Sequence, residues 1–233
     1  ERARTFGDKL TLEGKISIYA SEKFSTKNNN RTTAQEFEYS RRVLESYIEN
    51  GLPVKRGSVA AAFGCNYQGD IPVRSIVTIV DRIFELAAEY AIELEELSFA
   101  DTMAWATPLQ IKRLLGAVRE KYPEQRLSLH LHDTRGMGIA NAVAGLEMGV
   151  TMFDACVAGL GGCPFASHKG AAGNVCTEDL VFMCQEMGIE TGIDLDRMIE
   201  CAQLAEEIVG HPLPGSVKMG GNLAKLRAAA AVA

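Results

Sequence analysis

The sequence has no CxxC pair, no cluster of lysine and arginine, and no apolar stretch long enough to span a membrane. Its longest featureless apolar stretch, residues 228–233, falls far short of the ~20 residues that a membrane helix needs. Acidic residues outnumber lysine and arginine by 30 to 24, so the chain has no electrostatic footprint for nucleic acid. We therefore expect neither nucleic acid nor membrane as a partner.

A secretory signal is also missing from the start of the sequence. Without one, the six cysteines are expected to be free thiols in a reducing compartment. We predict a cytoplasmic protein, or a protein of the mitochondrial matrix if the source is eukaryotic. Residues 225–233 are of low complexity, and we interpret residues 1–224 as one domain followed by this tail.

The rest of the sequence has the composition of a folded domain, with 47% apolar and 23% charged residues. Apolar runs typical of strands alternate with longer segments that have the periodicity and capping residues of helices. The predicted strands cover residues 15–20, 54–62, 94–100, 127–132 and 152–157. The predicted helices cover residues 33–50, 72–90, 138–148, 177–187 and 195–209, and one more begins at Pro108.

This alternation of strands and helices predicts a parallel sheet covered by helices. An open doubly wound sheet and a (β/α)₈ barrel both have this pattern, and five strands are too few to complete the barrel. No GxGxxG sequence follows the first strand, which weakens a dinucleotide-binding interpretation. Polar residues follow four strands, at Ser21, Asp101, His132 and residues 159–163. Because ligands bind at the carboxyl ends of parallel strands, these positions predict the active site.

Two of the four histidines, His130 and His132, lie two residues apart in an otherwise apolar strand segment. Residues at i and i+2 of a strand face the same side, so both imidazoles can reach one ion. The spacing favours a metal pair over a structural histidine pair. Mg²⁺, Mn²⁺ and Zn²⁺ are the candidate ions.

A glycine-rich segment, residues 159–174, carries Cys163 directly after two glycines. This composition is typical of a mobile loop, or of a backbone that must approach a ligand closely. A thiol there can act as a general acid or base, or as a nucleophile. The alternative is a surface loop with an incidental cysteine.

Other polar positions have more than one interpretation. Asp101, at the end of the third strand, is a candidate base, an orienter of a histidine, or a cap of the next helix. Lys27 and Asn28 belong to a polar loop after the first strand, and they either bind a phosphate or cover the surface.

Three segments together resemble the 3-hydroxy-3-methylglutaryl-CoA lyase family: HLHDTRGMGIANAVAGLEMGV, FDACVAGLGGCPF and AAGNVCTEDLV. Two more match family segments at the ends of earlier strands, ASEKFSTKNNN and SFADTMAWATP. The resemblance extends from about residue 15 to residue 220. It implies a TIM barrel, a divalent cation (Mg²⁺ or Mn²⁺), and an acyl-CoA substrate. The implied reaction is retro-Claisen cleavage to acetyl-CoA and acetoacetate, as in leucine degradation and ketone-body formation, by a homo-oligomer, expected to be a dimer.

The resemblance also implies roles for individual residues. Three would be metal ligands: His130, His132 and Asn174. Cys163 would be the loop thiol that moves protons, and Asp101 and His130 would be candidates for the base near the substrate hydroxyl. Four match the region expected near the substrate and its CoA portion: Ser21, Lys27, Asn28 and Thr102.

Two departures from the family pattern bear on these expectations. The family's first strand carries an Arg-Asp pair and its second a Glu, and neither is in this sequence, so the five strands match the fourth to eighth of the barrel. The connection from Cys163 to Asn174 is about two residues longer than usual, through residues 167–169. The alternative functions are a condensing synthase of the isopropylmalate or homocitrate type, whose last loop lacks GGCP, and an inactive fragment.

Overall fold

The computed structural model describes residues 2–163 and 172–231 and has a parallel sheet at its centre. The strands are β1 (Gly14–Tyr19), β2 (Val54–Ala60), β3 (Gly64–Cys65), β4 (Gly69–Asp70), β5 (Glu96–Ala100), β6 (Arg126–His130) and β7 (Met152–Asp154). Five of them form the sheet in the order β1-β2-β5-β6-β7, and every neighbouring pair is parallel. The short β3 and β4 pair antiparallel in the connection after β2. A sequential parallel order is that of consecutive βα units in a barrel.

The helices are α1 (Glu22–Asn29), α2 (Thr33–Glu49), α3 (Val73–Glu89), α4 (Pro108–Lys121), α5 (Gly138–Glu147), α6 (Thr177–Glu186), α7 (Leu195–Val209), α8 (Val217–Gly220) and α9 (Leu223–Ala230). Helices α2 to α6 contribute buried side chains to the core on one face of the sheet. Strand side chains such as Ile18, Phe99 and Leu129 are fully buried against helix residues in the main core. Burial of this apolar face fixes which side of every strand remains for the site.

The opposite face of the sheet is polar. Four serines stand in register across β1, β2, β5 and β6: Ser17, Ser58, Ser98 and Ser128. Glu96 lies two residues before Ser98 on β5, toward the amino ends of the strands. It is buried, and its carboxylate accepts hydrogen bonds from Arg56 and Ser128. His130 lies two residues after Ser128 on β6, toward the carboxyl ends of the strands. It pairs in register with Asp154 of the neighbouring strand β7. Because alternate residues of a strand face the same side of the sheet, this face is polar from the middle of the strands to their carboxyl ends.

The prediction of a polar loop after the first strand is wrong, because residues 22–29 form helix α1. Ser21 caps this helix by accepting a hydrogen bond from the Phe24 amide, and Phe24 is only 2% exposed. The short helix has one large apolar side chain, so it has no apolar periodicity that the sequence could reveal. The cap, the burial of Phe24, and hydrogen bonds from Ser25 and Asn29 to Glu36 of α2 stabilise it.

Four strands, β2, β5, β6 and β7, are shorter than predicted, and the tail is partly helical. Strand β6 ends at His130, and His132 forms a single bridge with Asn174 instead of continuing the ladder. Strand β7 ends at Asp154, and a 3₁₀ turn, Val157–Gly159, replaces the predicted last residue of the strand. The alanine-rich end begins with α9, which agrees with the high helix propensity of alanine.

Two glycines in helices provide a test of how closely the helices pack on the sheet. An added Cβ at Gly145 of α5 would lie 2.6 Å from Leu129 Cδ1 and 3.2 Å from the Phe153 ring, whereas at Gly116 of α4 the nearest atom would be 3.8 Å away. We expect Gly145→Ala to lower the free energy of unfolding by ~1–2 kcal/mol, because overpacking outweighs the gain in helix propensity. Gly116→Ala is the matched control and should raise it by up to ~1 kcal/mol. Urea unfolding measures both, and equal stabilisation by the two changes would contradict the close packing of α5 on Leu129 and Phe153.

Candidate active site

A cavity of about 480 Å³ opens over the polar face at the carboxyl edge of the sheet. Each of the five strands contributes to its lining, with Tyr19, Ala60, Ala100, His130 and Asp154 nearest the carboxyl ends. Six of the residues predicted from the sequence are brought together here: Asn28, Thr102, His130, His132, Cys163 and Asn174. The other three predicted residues, Asp101, Ser21 and Lys27, do not line this cavity.

The two histidines direct the same ring nitrogen toward one point. Their Nε2 atoms lie 3.1 Å apart, as the spacing in the sequence predicted for a shared face. Burial and, next in importance, the nearby His130 lower the pKa of His132 to about 4. His132 is therefore neutral near pH 7, which is the protonation state in which an imidazole binds a metal.

Asp154 holds the other side of the His130 ring. Its Oδ2 lies 3.3 Å from Nδ1 of His130. This contact lowers the pKa of Asp154, and the positive charges of Arg56 and Lys15 act in the same direction. An ionised Asp154 accepts the Nδ1 proton of His130, which leaves the lone pair of the neutral ring on Nε2. The sequence analysis missed Asp154. The available signal was its position in β7, the next strand along the chain, which pairs with β6.

Asn174, at the end of the glycine-rich segment, is the third residue near the two histidines. It bridges to His132 through the backbone, and its Nδ2 donates a hydrogen bond of 2.7 Å to the Leu160 carbonyl. This bond fixes which end of the amide carries the oxygen. The Asn174 Oδ1 is shielded from solvent and has no hydrogen-bond partner among the described residues.

These donor atoms fit a divalent cation. Two ligands that bind one ion at ~2.1 Å and at right angles lie ~3 Å apart, which matches the 3.1 Å between the Nε2 atoms. Asn174 lines the same cavity and bridges to His132 through the backbone, and its unpartnered Oδ1 adds an oxygen donor. Within residues 2–163 and 172–231, no three His, Cys, Asp or Glu side chains form a metal-binding group. The fit therefore depends on the amide of Asn174 as well as on the two imidazoles.

Cys163 lines the cavity at the end of the described part of the glycine-rich segment. It is a free thiol, half-buried, and it packs against a small cluster that includes Phe24 and Met103. The two preceding glycines have φ values of +85° and +118°, a conformation that strongly favours glycine. The longer connection predicted through residues 167–169 lies outside the described residues.

Asp101 supports a loop at the edge of the cavity. It is 1% exposed, and its two carboxylate oxygens accept hydrogen bonds from the backbone amides of Trp105 and Ala106. Of the three roles that the sequence left open for Asp101, these contacts match that of a cap. Asp101 caps backbone amides of the loop, whereas the N-cap of α4 is Thr107. Thr102 from the same loop does line the cavity, and its hydroxyl accepts a hydrogen bond of 2.9 Å from the Ala61 amide.

The titration of Asp101 gives a prediction about stability. Burial raises the pKa of Asp101 from an ordinary 3.8 to about 6. The folded state therefore holds this proton more tightly than the unfolded state does, and the contribution of Asp101 to stability falls as the pH rises from about 4 to about 6. We expect the difference in free energy of unfolding, wild type minus Asp101→Asn, to decrease over that interval and to level off above it. A difference that stays constant in urea titrations across this range would contradict the raised pKa.

The predicted CoA-contacting residues have different surroundings. Ser21 is fully buried, where its hydroxyl donates to Gln68 Oε1 and accepts from Cys65. Lys27 is exposed, with its ammonium 4.8 Å from the centre of the Tyr67 ring. Asn28 donates a hydrogen bond of 3.1 Å to the Tyr19 hydroxyl at the cavity wall. Asn28 is therefore the one of the three that borders the cavity.

The order of the strands and the position of the cavity define a protein of the βα-barrel class, with a candidate metal site at the carboxyl edge of its sheet. Within that class, the chain belongs to the HMGL-like family, whose model matches residues 13–205. The resemblance found in the sequence is thereby confirmed.

Two curated relatives show how far the similarity extends. A hydroxymethylglutaryl-CoA lyase of Bacillus subtilis is 36% identical over 208 residues, which are 87% of this chain and 67% of the relative. The cytoplasmic 3-hydroxy-3-methylglutaryl-CoA lyase of Danio rerio is 41% identical over 181 residues, 78% of this chain and 51% of the relative. The chain thus spans about half to two thirds of the length of these relatives.

Solved structures agree with the fold. An HMG-CoA lyase from Acinetobacter baumannii, in complex with coenzyme A and 3-methylmalate, has a TM-score of 0.80 at 38% identity, over 91% of this chain and 66% of that one. The Bacillus subtilis HMG-CoA lyase also has a TM-score of 0.80, at 33% identity, over 93% of this chain and 70% of that one. The five-stranded sheet is therefore part of a TIM barrel, as predicted. In the part of the chain that the structure describes, no helix has the length and apolar character needed to cross a membrane.

Proposed function

We propose that this protein cleaves 3-hydroxy-3-methylglutaryl-CoA to acetyl-CoA and acetoacetate. One observation carries the proposal: the thiol of Cys163 and the donor group of His130, His132 and Asn174 line the same cavity. The family relatives named as lyases of this substrate support it, and so does the relative that binds coenzyme A. Relatives named as cytoplasmic and mitochondrial enzymes support one of those two compartments, and we propose a homodimer on the resemblance alone.

We propose that His130, His132 and Asn174 hold the divalent cation, Mg²⁺ or Mn²⁺. When bound, such a cation supplies Lewis-acid chemistry that lowers the pKa of the substrate hydroxyl. The protein contributes two imidazoles whose Nε2 atoms lie 3.1 Å apart. Asp154 sets the tautomer of His130, and burial keeps His132 unprotonated.

The cleavage also needs a base to remove the proton of the tertiary hydroxyl. The carbon–carbon bond then breaks, its electron pair goes to the CoA thioester as an enolate, and the former hydroxyl carbon becomes a ketone. Of the two bases considered from the sequence, His130 borders the cavity and Asp101 does not. The Nε2 of His130 cannot hold a proton and a cation together, so the two roles exclude each other. We favour the ligand role because His132 and Asn174 line the same cavity, and the hydroxyl proton then leaves to solvent.

Cys163 is proposed as the acid that protonates the enolate carbon. The thiol gives up its proton to form the methyl group of acetyl-CoA, and the thiolate then takes a proton from solvent, which balances the one that the hydroxyl released. The overall reaction therefore neither gains nor loses a proton. The position of Cys163 on the cavity wall, next to Gly162, supports this role.

A coupled assay of acetoacetate release from 3-hydroxy-3-methylglutaryl-CoA tests the proposal. We expect release that stops after EDTA treatment and returns with Mg²⁺ or Mn²⁺. A parallel assay with acetyl-CoA and a 2-oxoacid measures condensation and separates the lyase from a synthase. Absence of acetoacetate release by the metal-loaded protein would overturn the proposal.

A further inference from the structure

We infer that Asn174 is a positioning residue for Cys163, and that its side-chain amide couples the metal site to the backbone of the loop that carries the thiol. The inference rests on the proposed function only for the presence of a cation at His130 and His132. Its physical basis is that the two ends of one amide group face two different parts of the site. A group of this kind cannot be moved at one end without moving the other.

The first end of the amide holds the loop. The Nδ2 of Asn174 donates a hydrogen bond of 2.7 Å to the Leu160 carbonyl, three residues before Cys163. The amide also packs directly on the loop backbone, because an added Cβ at Gly161 would lie only 2.6 Å from Nδ2. Leu160 and Gly161 thus have their position set by the Asn174 side chain.

The second end of the amide is free to bind the cation. The Oδ1 of Asn174 is shielded from solvent and lacks a hydrogen-bond partner among the described residues. Because Nδ2 is turned to Leu160, Oδ1 is directed away from the loop, and the backbone bridge places Asn174 opposite His132. A buried carbonyl oxygen without a partner is costly, and a cation ligated by the neighbouring imidazoles would satisfy it.

The backbone around Asn174 makes this connection short. The Gly173 amide donates a hydrogen bond of 3.3 Å to the Gly159 carbonyl, and the Asp133 amide donates one of 2.8 Å to the Gly173 carbonyl. An added Cβ at Gly173 would overlap the Gly161 carbonyl oxygen, so the two segments are in direct contact. Through these bonds, residue 173 joins the loop to the segment that follows His132.

Asn174→Asp separates the two ends of the amide. The carboxylate keeps an oxygen ligand for the cation, but it replaces the Nδ2 donor with an oxygen that repels the Leu160 carbonyl. We expect Mn²⁺ affinity, measured by electron paramagnetic resonance, to stay at or above that of the wild type. In the metal-free protein, hydrogen exchange of peptide 157–163 should be ~5-fold faster or more, the effect of losing one hydrogen bond. Exchange in β6 is the internal control and should not change.

Gly161→Ala tests the coupling in the opposite direction. Its methyl group would displace the amide of Asn174 without touching any proposed metal ligand except Asn174 itself. Because coupling between two sites is reciprocal, we expect Mn²⁺ affinity to fall at least 5-fold. Gly188→Ala is the matched control, since Gly188 also has a positive φ, +76°, but nothing lies within 4 Å of an added Cβ there. It should leave Mn²⁺ affinity unchanged.

Either of two results would overturn the inference: wild-type exchange of peptide 157–163 in Asn174→Asp, or wild-type Mn²⁺ affinity in Gly161→Ala. If Asn174→Asp does not fold, the Gly161→Ala result decides alone. Neither measurement requires turnover. A wild-type protein that shows the coupling but releases no acetoacetate would refute the proposed function and leave this inference intact.

Discussion

Replacing His132 by alanine is expected to weaken Mn²⁺ binding by more than 100-fold and to abolish acetoacetate release to the same extent. Loss of a residue that only orients a metal ligand typically costs ~10–100-fold in metal affinity or activity, and loss of a ligand should cost more. The reason lies in the geometry of the pair, with the His132 Nε2 3.1 Å from the His130 Nε2 and burial keeping it unprotonated. Calorimetric titration with Mn²⁺ measures the affinity, and thermal unfolding establishes that the variant is folded.

His211 provides the matched control for this substitution. It is exposed near the end of α7, and its Nδ1 lies 2.9 Å from the Pro212 carbonyl oxygen, far along the chain from the cavity. His211→Ala should leave both Mn²⁺ affinity and acetoacetate release unchanged. If His132→Ala binds Mn²⁺ as the wild type does, His132 is not a ligand and the histidine pair has a structural role.

Replacing Cys163 by serine is expected to lower kcat by ~10²–10⁴-fold with little change in Mn²⁺ affinity. Serine retains the size and hydrogen bonding of cysteine but is a far weaker acid than a thiol, whose ordinary pKa is ~8.5, and proton transfer by one side chain contributes about that factor. Cys163 borders the cavity without belonging to the donor group, so kcat and metal binding should separate. Steady-state kinetics and Mn²⁺ titration of the same preparation measure both.

The other cysteines supply controls of two kinds. Cys201 is exposed on α7, and Cys201→Ser should change neither kcat nor stability. Cys176 is buried, and Cys176→Ser should lower the free energy of unfolding more than it lowers kcat. Alkylation of the wild type should remove activity in proportion to modification of Cys163, and substrate should protect it. A Cys163→Ser protein with a kcat close to that of the wild type would show that Cys163 is not the acid. The segment that carries it would then only cover the cavity.

The features that the sequence predicted correctly are those that depend on local periodicity. Alternating strands and helices predicted the parallel sheet, and the i, i+2 spacing predicted that His130 and His132 share a face. The motif around Cys163 predicted the family, which the comparisons confirmed. The roles of these residues in catalysis and metal binding stay predictions that the experiments above test.

The features that the sequence analysis missed depend on pairs of residues far apart in the chain or on single buried side chains. Helix α1 is stabilised by one cap, by burial of Phe24 and by hydrogen bonds to Glu36 of α2, none of which leaves a periodic signal. Asp154 lies 24 residues from His130 and reaches it only because β6 and β7 pair in register. Asp101 was placed at a strand end correctly, but its backbone partners, Trp105 and Ala106, are set by the fold of the loop.

The sequence by itself determined the class of fold, the family, and the set of residue types available for chemistry, because these follow from periodicity and from a contiguous motif. Only the tertiary structure decided which of the candidates meet at one cavity, which tautomer Asp154 gives to His130, and which end of the Asn174 amide faces the histidines. The physical reason is that strand register and side-chain hydrogen bonds are properties of packed segments. They come from burial of one face of the sheet against its helices, which no single segment of the chain specifies.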